Sequence, residues 1–312
     1  MDAMGPTDPD RRTGSRPLPM PLRLGNGQAR PTAGGQDSEL ITSRRNPLVR
    51  QLRALHEPRG RREQGLLLLE GRHLLEEALR LQLIPDLVAA TPTWIARHAD
   101  LWACLPAATR RQPLADEALA LAASTSHPDG VLATLQPPEP DPARRPGFVL
   151  ALDGLQDPGN LGTLLRTALA AGVEEVWLAE GADPYAPKVL RASSGAALAL
   201  PLRRLERQEL LAWLQGQESE GLQRVATLVS GGRPYWDVDW TLPTVLLLGN
   251  EGAGLDPQLA ALADARVTIP HSPAVESLNV AVAAAPLLLE RWRQSAIPSG
   301  GRMPGIPHSS TR

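Results

Sequence analysis

The sequence predicts an α/β protein in two parts, a largely parallel sheet covered by helices on both faces, preceded by a smaller α/β segment. Three observations carry this expectation. Short apolar runs alternate with helical stretches through residues 148–296, which is the pattern of repeated βα units. Five prolines fall within Pro137–Pro146, a composition that makes stiff extended linkers rather than core elements. The length, 312 residues, is that of two ordinary domains. The expected layout is a small α/β domain at 41–136, a linker at 137–147 and a larger domain at 148–296. The Pro-, Gly- and Arg-rich arm 1–40 lacks apolar periodicity and reads as disordered, as does the tail 297–312.

Taken in order, Leu48, Leu52 and Leu55 recur at helical spacing, and Leu66–Glu70 reads as a short buried strand. A helix over His73–Leu81 turns Leu74, Leu75, Ala78 and Leu79 inward, and Leu87–Ala90 and Gly130–Leu135 are further strands. Beyond the linker, strands are expected at Phe148–Leu152, Glu175–Leu178, Arg224–Val229, Val245–Leu248 and Val267–Ile269. Helices are expected at Leu161–Ala171, Glu206–Leu214, Asp256–Leu262 and Leu278–Trp292. Since open α/β sheets bind ligands beyond the carboxyl ends of their strands, the informative loops are those that follow strands.

Composition narrows the function. A 42% hydrophobic fraction supports a real core, and no apolar run reaches the ~18 residues of a membrane helix. The lone Cys104 excludes an internal disulfide and a multi-thiolate zinc site, and fits a reducing compartment. Asp2, Asp8 and Asp10, in an arm without an apolar core, argue against a secretory signal, so a cytoplasmic location is expected. The net charge of −2 is unlike that of most polyanion binders, but it averages two unequal halves. Residues 1–147 hold 19 arginines against 17 acids, and residues 148–312 hold 13 cations against 17 acids. Within 44–62, Arg44, Arg45, Arg50, Arg53, Arg59, Arg61 and Arg62 face only Glu57. Seven arginines around an amphipathic helix favour a phosphate-contacting surface over a merely solvated charge run.

Three loops carry the chemistry. Asp153–Ala168 leaves a strand and opens a helix; Gly159, Asn160 and Gly162 make its turn, and Arg166 lies on the helix six residues after Asn160. Asp157 or Asn160 can cap that helix, leaving Arg166 solvated, so this loop alone is ambiguous. Leu248-Gly-Asn-Glu-Gly-Ala-Gly-Leu255 is glycine-rich, but it is neither a GxxxxGK[ST] phosphate loop nor a GxGxxG dinucleotide turn. It suits close backbone approach to a ligand. Ile269–Ala283 ends a strand, and Ser277 is expected to cap a helix containing Asn279. His271, Glu276 and Ser277 crowd into seven residues without a GxSxG elbow, which argues against a hydrolase triad. The six histidines show no metal-ligand spacing, and no metal is expected.

Together, in this order, DPGNLGTLLRTA, the intervening Arg191-Ala-Ser-Ser-Gly-Ala196 with Leu200-Pro201, LLLGNEGAGL and IP…SLNVAVA resemble the motifs of the SpoU/TrmH RNA ribose 2′-O-methyltransferases of the SPOUT superfamily. The resemblance covers 148–293. The segment ITSRRNPLVRQLRAL…LLLLEGRHLLEEAL resembles the small RNA-binding domain that often precedes this catalytic domain.

The resemblance implies a parallel SPOUT sheet with a deep C-terminal trefoil knot around Gly249–Leu255 and Ile269–Ala285, a rare exception to unthreaded chains. It implies S-adenosyl-L-methionine bound there by Gly249, Ile269 and Leu278, with Gly252 and Gly254 admitting close approach. It makes Arg166 the central catalytic residue, assisted by Asn160, Glu251, Ser277 and Asn279. A guanidinium stays protonated, so Arg166 suits phosphate binding and alkoxide stabilisation better than proton abstraction. The resemblance further implies a homodimer through the knotted domain, with the apolar Asn279–Leu289 helix as a candidate surface that reads equally as core. The implied partner is RNA, ribosomal by family habit. Transfer RNA, or an RNA-binding assembly factor without catalysis, stays open at this point. His271, Ser272 and Pro273 stand where many members carry Met and Gly.

Overall fold

A computed structural model describes residues 39–296 apart from Arg144 and residues 217–220. The expected disordered arms therefore lie, but for Glu39 and Leu40, outside the described residues. The N-terminal segment runs α1 (Pro47–Ala54), α2 (Pro58–Gln64), β1 (Leu67–Glu70), α3 (Arg72–Arg80), β2 (Leu87–Ala90), α4 (Pro92–Arg97), α5 (Ala99–Ala103), β3 (Arg110–Pro113), α6 (Asp116–Ala122) and β4 (Val131–Leu135). Asn46 starts α1 by accepting the Leu48 N–H at 2.9 Å, with Pro47 preset in the first turn. Leu48, Val49 and Leu52 are its buried stripe. Its sheet has the order β1-β4-β2-β3, with β4 antiparallel to both neighbours and β2 parallel to β3.

The C-terminal segment runs β5 (Phe148–Asp153), α7 (Pro158–Ala170), β6 (Glu175–Ala179), α8 (Pro187–Ala192), α9 (Ala196–Ala199), β7 (Leu202–Leu205), α10 (Arg207–Gln215), β8 (Gln223–Thr227), β9 (Arg233–Pro234), β10 (Thr244–Leu248), α11 (Pro257–Ala261), β11 (Ala265–Thr268) and α12 (Val280–Ala296). Its seven strands lie in the order β7-β6-β5-β10-β8-β11-β9, and every pair is parallel. β5 and β10 are buried on both faces, which is why their sequences are unbroken apolar runs. Leu150, Leu152, Leu246 and Leu248 join the core that includes Leu161, Leu165, Leu190 and Leu287. Val149, Ala151, Val245 and Leu247 turn the other way, onto Leu210, Leu214 and Leu259.

Buried residues of both segments are continuous. Leu67, Leu69, Leu74 and Leu75 belong to the same cluster as Val189, Leu190 and Ala197. Polar ties reinforce the joint. Arg61 reaches Asp183 at 2.6 Å, and Arg191 reaches Glu70 at 3.4 Å and Ser124 Oγ at 2.9 Å.

Two expectations need correction. Ser277 does not cap the last helix, and Asn279 is not inside it. The helix begins at Val280, and Asn279 Oδ1 accepts the Ala281 and Val282 N–H groups at 3.0 and 3.3 Å. β3, β7 and β9, and helices α2, α4, α5, α6, α8 and α9, are present beyond the elements that the sequence predicts.

Candidate functional site

The site forms where the direction of the sheet switches. β5 and β10 are neighbours, yet the chain leaves β5 toward β6 and leaves β10 toward β11 on the opposite side. Loops at such a point open a crevice at the carboxyl ends of the strands. The two loops are stitched together. Asn250 Nδ2 donates to the Gly154 carbonyl at 2.8 Å, while its Oδ1 accepts the Gly252 and Ala253 N–H groups at 2.8 and 3.0 Å. Asp153, 3% exposed, accepts Arg207 Nε at 2.7 Å on one oxygen and the Asp256 N–H at 3.0 Å on the other. Beside this carboxylate the Arg207 guanidinium is held above its ordinary value.

The glycine loop closes on itself between paired Asn250 and Gly254 backbones, 2.9 and 3.0 Å apart. Gly254 takes φ +74°, a left-handed turn that glycine adopts freely. Gly249 lies under the returning strand of this loop. A Cβ there would fall 2.1 Å from Leu255 N and 2.2 Å from Gly254 C, so no side chain fits.

Beside the loop opens a cleft of about 280 Å³, near the lower end of ligand pockets. Leu228, Val229, Leu248, Leu255, Ile269, Leu278 and Val280 supply apolar walls, with Gly249, Asn250, Glu251 and Gly254 on the loop side and Ser277 and His271 at the far loop. Gly252 does not line it. The described lining contains one carboxylate, Glu251, and neither Arg nor Lys. That donor set suits an uncharged or cationic nucleoside rather than a phosphorylated one. S-adenosylmethionine, which carries no phosphate and bears a sulfonium, fits this description.

Three of the five expected catalytic residues meet at the loop. Asn160 Nδ2 donates to Glu251 Oε1 at 3.1 Å, and Asn279 Nδ2 donates to Asn160 Oδ1 at 2.9 Å. The first, second and third loops are thereby joined by one chain of hydrogen bonds. Asp157 caps α7 by accepting the Asn160 N–H at 2.7 Å, which leaves the Asn160 side chain free for Glu251. Arg166 and Ser277 make no hydrogen bond to this trio. Arg166 is exposed on α7 and donates to Ser194 Oγ at 3.3 Å, a partner that no local sequence pattern marks. His271 turns its Nδ1 onto the Ile269 carbonyl at 2.7 Å.

The basic segment divides. Arg44, Arg45, Arg50 and Arg53 surround one shallow hollow with Val49 and Leu121. Arg44 is paired there with Glu117 at 3.0 Å. Arg59 is held by Glu63 at 2.6 Å, and Arg62 is exposed. Arg61, expected on the RNA-contacting surface, is instead only 6% exposed. Its guanidinium is spent on Asp183 and on the Leu55 and His56 carbonyls at 2.7 and 2.8 Å, so it anchors the joint. Among the described residues no cluster of His, Cys, Asp and Glu has metal-site geometry, and no helix is long and apolar enough to cross a membrane.

Comparison with known proteins agrees with this geometry. Residues 147–289 match the SpoU rRNA methylase family, and residues 46–133 match the MRM3-like substrate binding domain. The chain is 46% identical over 264 residues to an uncharacterized tRNA/rRNA methyltransferase of Synechocystis, covering 83% of this chain and 95% of that one. It is 34% identical over 252 residues to RlmP of Bacillus subtilis, a 23S rRNA (guanosine(2553)-2′-O)-methyltransferase, covering 80% and 97%. The AdoMet-bound crystal structure of an rRNA methyltransferase from Sinorhizobium meliloti superimposes with a TM-score of 0.70 at 31% identity, covering 82% of this chain and 97% of that one.

Proposed function

The chain belongs to the SpoU rRNA methylase family and is an S-adenosylmethionine-dependent RNA ribose 2′-O-methyltransferase; we propose that its substrate is a structured segment of ribosomal RNA. The observation that carries the enzymatic reading is the hydrogen-bonded trio Asn279, Asn160 and Glu251, which reaches through Glu251 the cleft floored by the glycine loop. The rRNA acceptor is supported by relatives such as RlmP, which match over nearly their whole length.

In this reading Gly249, Ile269 and Leu278 hold the cofactor through the cleft wall, Gly254 shapes the loop, and Gly252 acts indirectly by donating to Asn250. When bound, the cofactor supplies a methyl group activated on a sulfonium. The chain's own residues then have two tasks. Glu251, fixed by Asn160, accepts ribose hydroxyls and orients the sugar, while Asn279 fixes Asn160. Arg166 binds the adjoining phosphate and stabilises negative charge developing on the 2′-oxygen; its permanent charge suits that role and excludes it as a base, so the 2′-hydroxyl proton passes to solvent water as the methyl is transferred. Ser277, on the cleft wall, completes the sugar contact.

Arg44, Arg45, Arg50 and Arg53 form the RNA-docking hollow, extended by Arg59 and Arg62 and without Arg61. Val282, Leu289 and Trp292 leave an exposed apolar stripe on α12, while Ala281, Ala284, Leu287 and Leu288 fill the core. That stripe supports a homodimer through this helix. The two segments that share the cleft, 249–255 and 269–283, support the threaded C-terminal knot, and the reading places the enzyme in the cytoplasm.

The test is to map 2′-O-methylation across total RNA from cells with and without this protein, with Arg166→Ala as control. Loss of one ribosomal position, unrestored by the variant, is expected. A lost transfer-RNA position, or no lost position, would refute the ribosomal assignment.

A further inference from the structure

The segment Arg191-Ala-Ser-Ser-Gly-Ala196 lines neither the cleft nor the arginine hollow, yet it sits between the substrate-binding segment and Arg166. On one side it is pressed against α7. A Cβ at Gly162 would fall 2.4 Å from Ala192 Cβ and 2.9 Å from Ser193 N, so α7 approaches this turn as closely as glycine allows. Arg166 follows Gly162 by one helical turn on the same face, which brings its guanidinium to Ser194 Oγ at 3.3 Å. Ser194 is the sole hydrogen-bonding partner of the Arg166 side chain among the described residues.

The other side is held by the N-terminal segment. A Cβ at Gly195 would lie 2.6 Å from Glu77 Cγ on α3. Arg191 is tied to Glu70, at the end of β1, and to Ser124. Glu70 is itself buried and accepts the Ser124 N–H and hydroxyl. Between these supports Ser194 has φ +50° and Gly195 φ +83°. Serine rarely holds a left-handed conformation, and it persists where surrounding contacts over-determine it.

We propose that Ser194 is a positioning residue for Arg166, and that the N-terminal segment sets Ser194 through the Glu70–Arg191 tie and the packing of Glu77 on Gly195. This rests on the reading of Arg166 as the phosphate- and alkoxide-binding group. An exposed arginine samples many rotamers, and the Ser194 hydroxyl selects the one from which the guanidinium meets the RNA. The segment that docks the substrate is thereby in contact, through a single turn, with the residue that acts on it.

The test is Ser194→Gly, which removes the hydroxyl and leaves a residue that adopts φ +50° without strain. The variant should fold at least as stably as wild type, with unchanged cofactor affinity and unchanged KM for RNA. Its single-turnover rate of methyl transfer should fall about three- to tenfold, the value of one long hydrogen bond to a charged group. In an Arg166→Ala background the same substitution should have no further effect. Glu70→Gln should lower the rate less, and this loss should vanish in a Ser194→Gly background. A wild-type rate for Ser194→Gly while Arg166→Ala is impaired overturns the inference alone, as does an equal loss in both backgrounds. A Glu70→Gln loss that persists without the Ser194 hydroxyl overturns the tie to the N-terminal segment. Full activity of Arg166→Ala overturns the reading of the arginine and this inference with it.

Discussion

The cleft at the β5–β10 switch and the hollow around Arg44, Arg45, Arg50 and Arg53 are built by opposite means. The cleft is made of backbone and apolar wall, its one carboxylate held by Asn160, which Asn279 holds in turn, and it contains no cationic side chain among its described lining. The hollow is made almost wholly of arginine side chains on one short helix and the turn before it. A site of the first kind reads shape, tolerates little change in its frame and responds weakly to salt. A site of the second kind reads charge, tolerates single substitutions and weakens steeply as salt rises. One arginine crosses the divide. Arg61 stands eight residues after Arg53 in a basic run, but it is buried and holds two segments together.

The sharpest way to break this contrast is Gly249→Ala. One added methyl would stand 2.1 Å from Leu255 N, and the loop cannot move without disturbing the cleft wall. Cofactor affinity, read by calorimetry, should fall by about 10³-fold, or ~4 kcal/mol, while RNA affinity stays at the wild-type value. Cofactor binding at wild-type strength would mean that this loop is not part of the cleft frame.

That glycine illustrates what could be read beforehand and what could not. β5 and β10 were legible because burial on both faces leaves unbroken apolar runs, and their loops carry compact motifs. β3, by contrast, is an edge strand of sequence Arg-Arg-Gln-Pro, which has no apolar period to betray it. Ser277 looked like a cap because serine often is one; Asn279, two residues on, competes for the same role and wins it. The Arg166–Ser194 contact joins residues 28 apart, and no local pattern announces it. Arg61 fails for a related reason. Charge is visible in sequence, but whether an arginine meets solvent or a partner 122 residues away is decided by tertiary packing.

Arg61 and its exposed neighbours should respond differently to substitution. Arg61→Ala leaves the largely covered Asp183 without its main partner and frees the Leu55 and His56 carbonyls. Stability to urea should drop by about 3 kcal/mol, as when one member of a buried ion pair is removed. Reversing Arg45, Arg50 and Arg53 to Glu should leave stability within about 0.5 kcal/mol, because all three are exposed. It should weaken RNA binding about tenfold at low salt and make the logarithmic salt dependence shallower by about 2. If the triple variant binds RNA as before, with the same salt slope, the hollow is not the docking surface.

The smallest effect is expected at two ion pairs outside both sites, one in each segment of the chain. Glu77 on α3 is held below 4.5, chiefly by the hydrogen bond from Arg80 and against the opposing effect of burial. Asp264, before β11, is held below 3.8, chiefly by the hydrogen bond from Arg224. A carboxyl whose value is lower in the folded than in the unfolded chain binds protons more weakly when folded. Its contribution is therefore complete above the unfolded value and is lost as pH falls through the folded one. For Glu77 the loss begins below pH 4.5, and for Asp264 below pH 3.8. Glu77 is largely covered, but Arg80 is 39% exposed and solvent screens the pair, so its contribution is about 0.5 kcal/mol. Asp264 is 45% exposed and should contribute less. Urea unfolding followed from pH 6 to pH 3 should show a shallower acid limb for Glu77→Gln than for wild type, and a smaller change for Asp264→Asn. The reverse order would mean that Glu77, whose methylenes pack on Gly195, is not the more strongly coupled of the two, and that the joint beside Arg166 is looser than its packing distances imply.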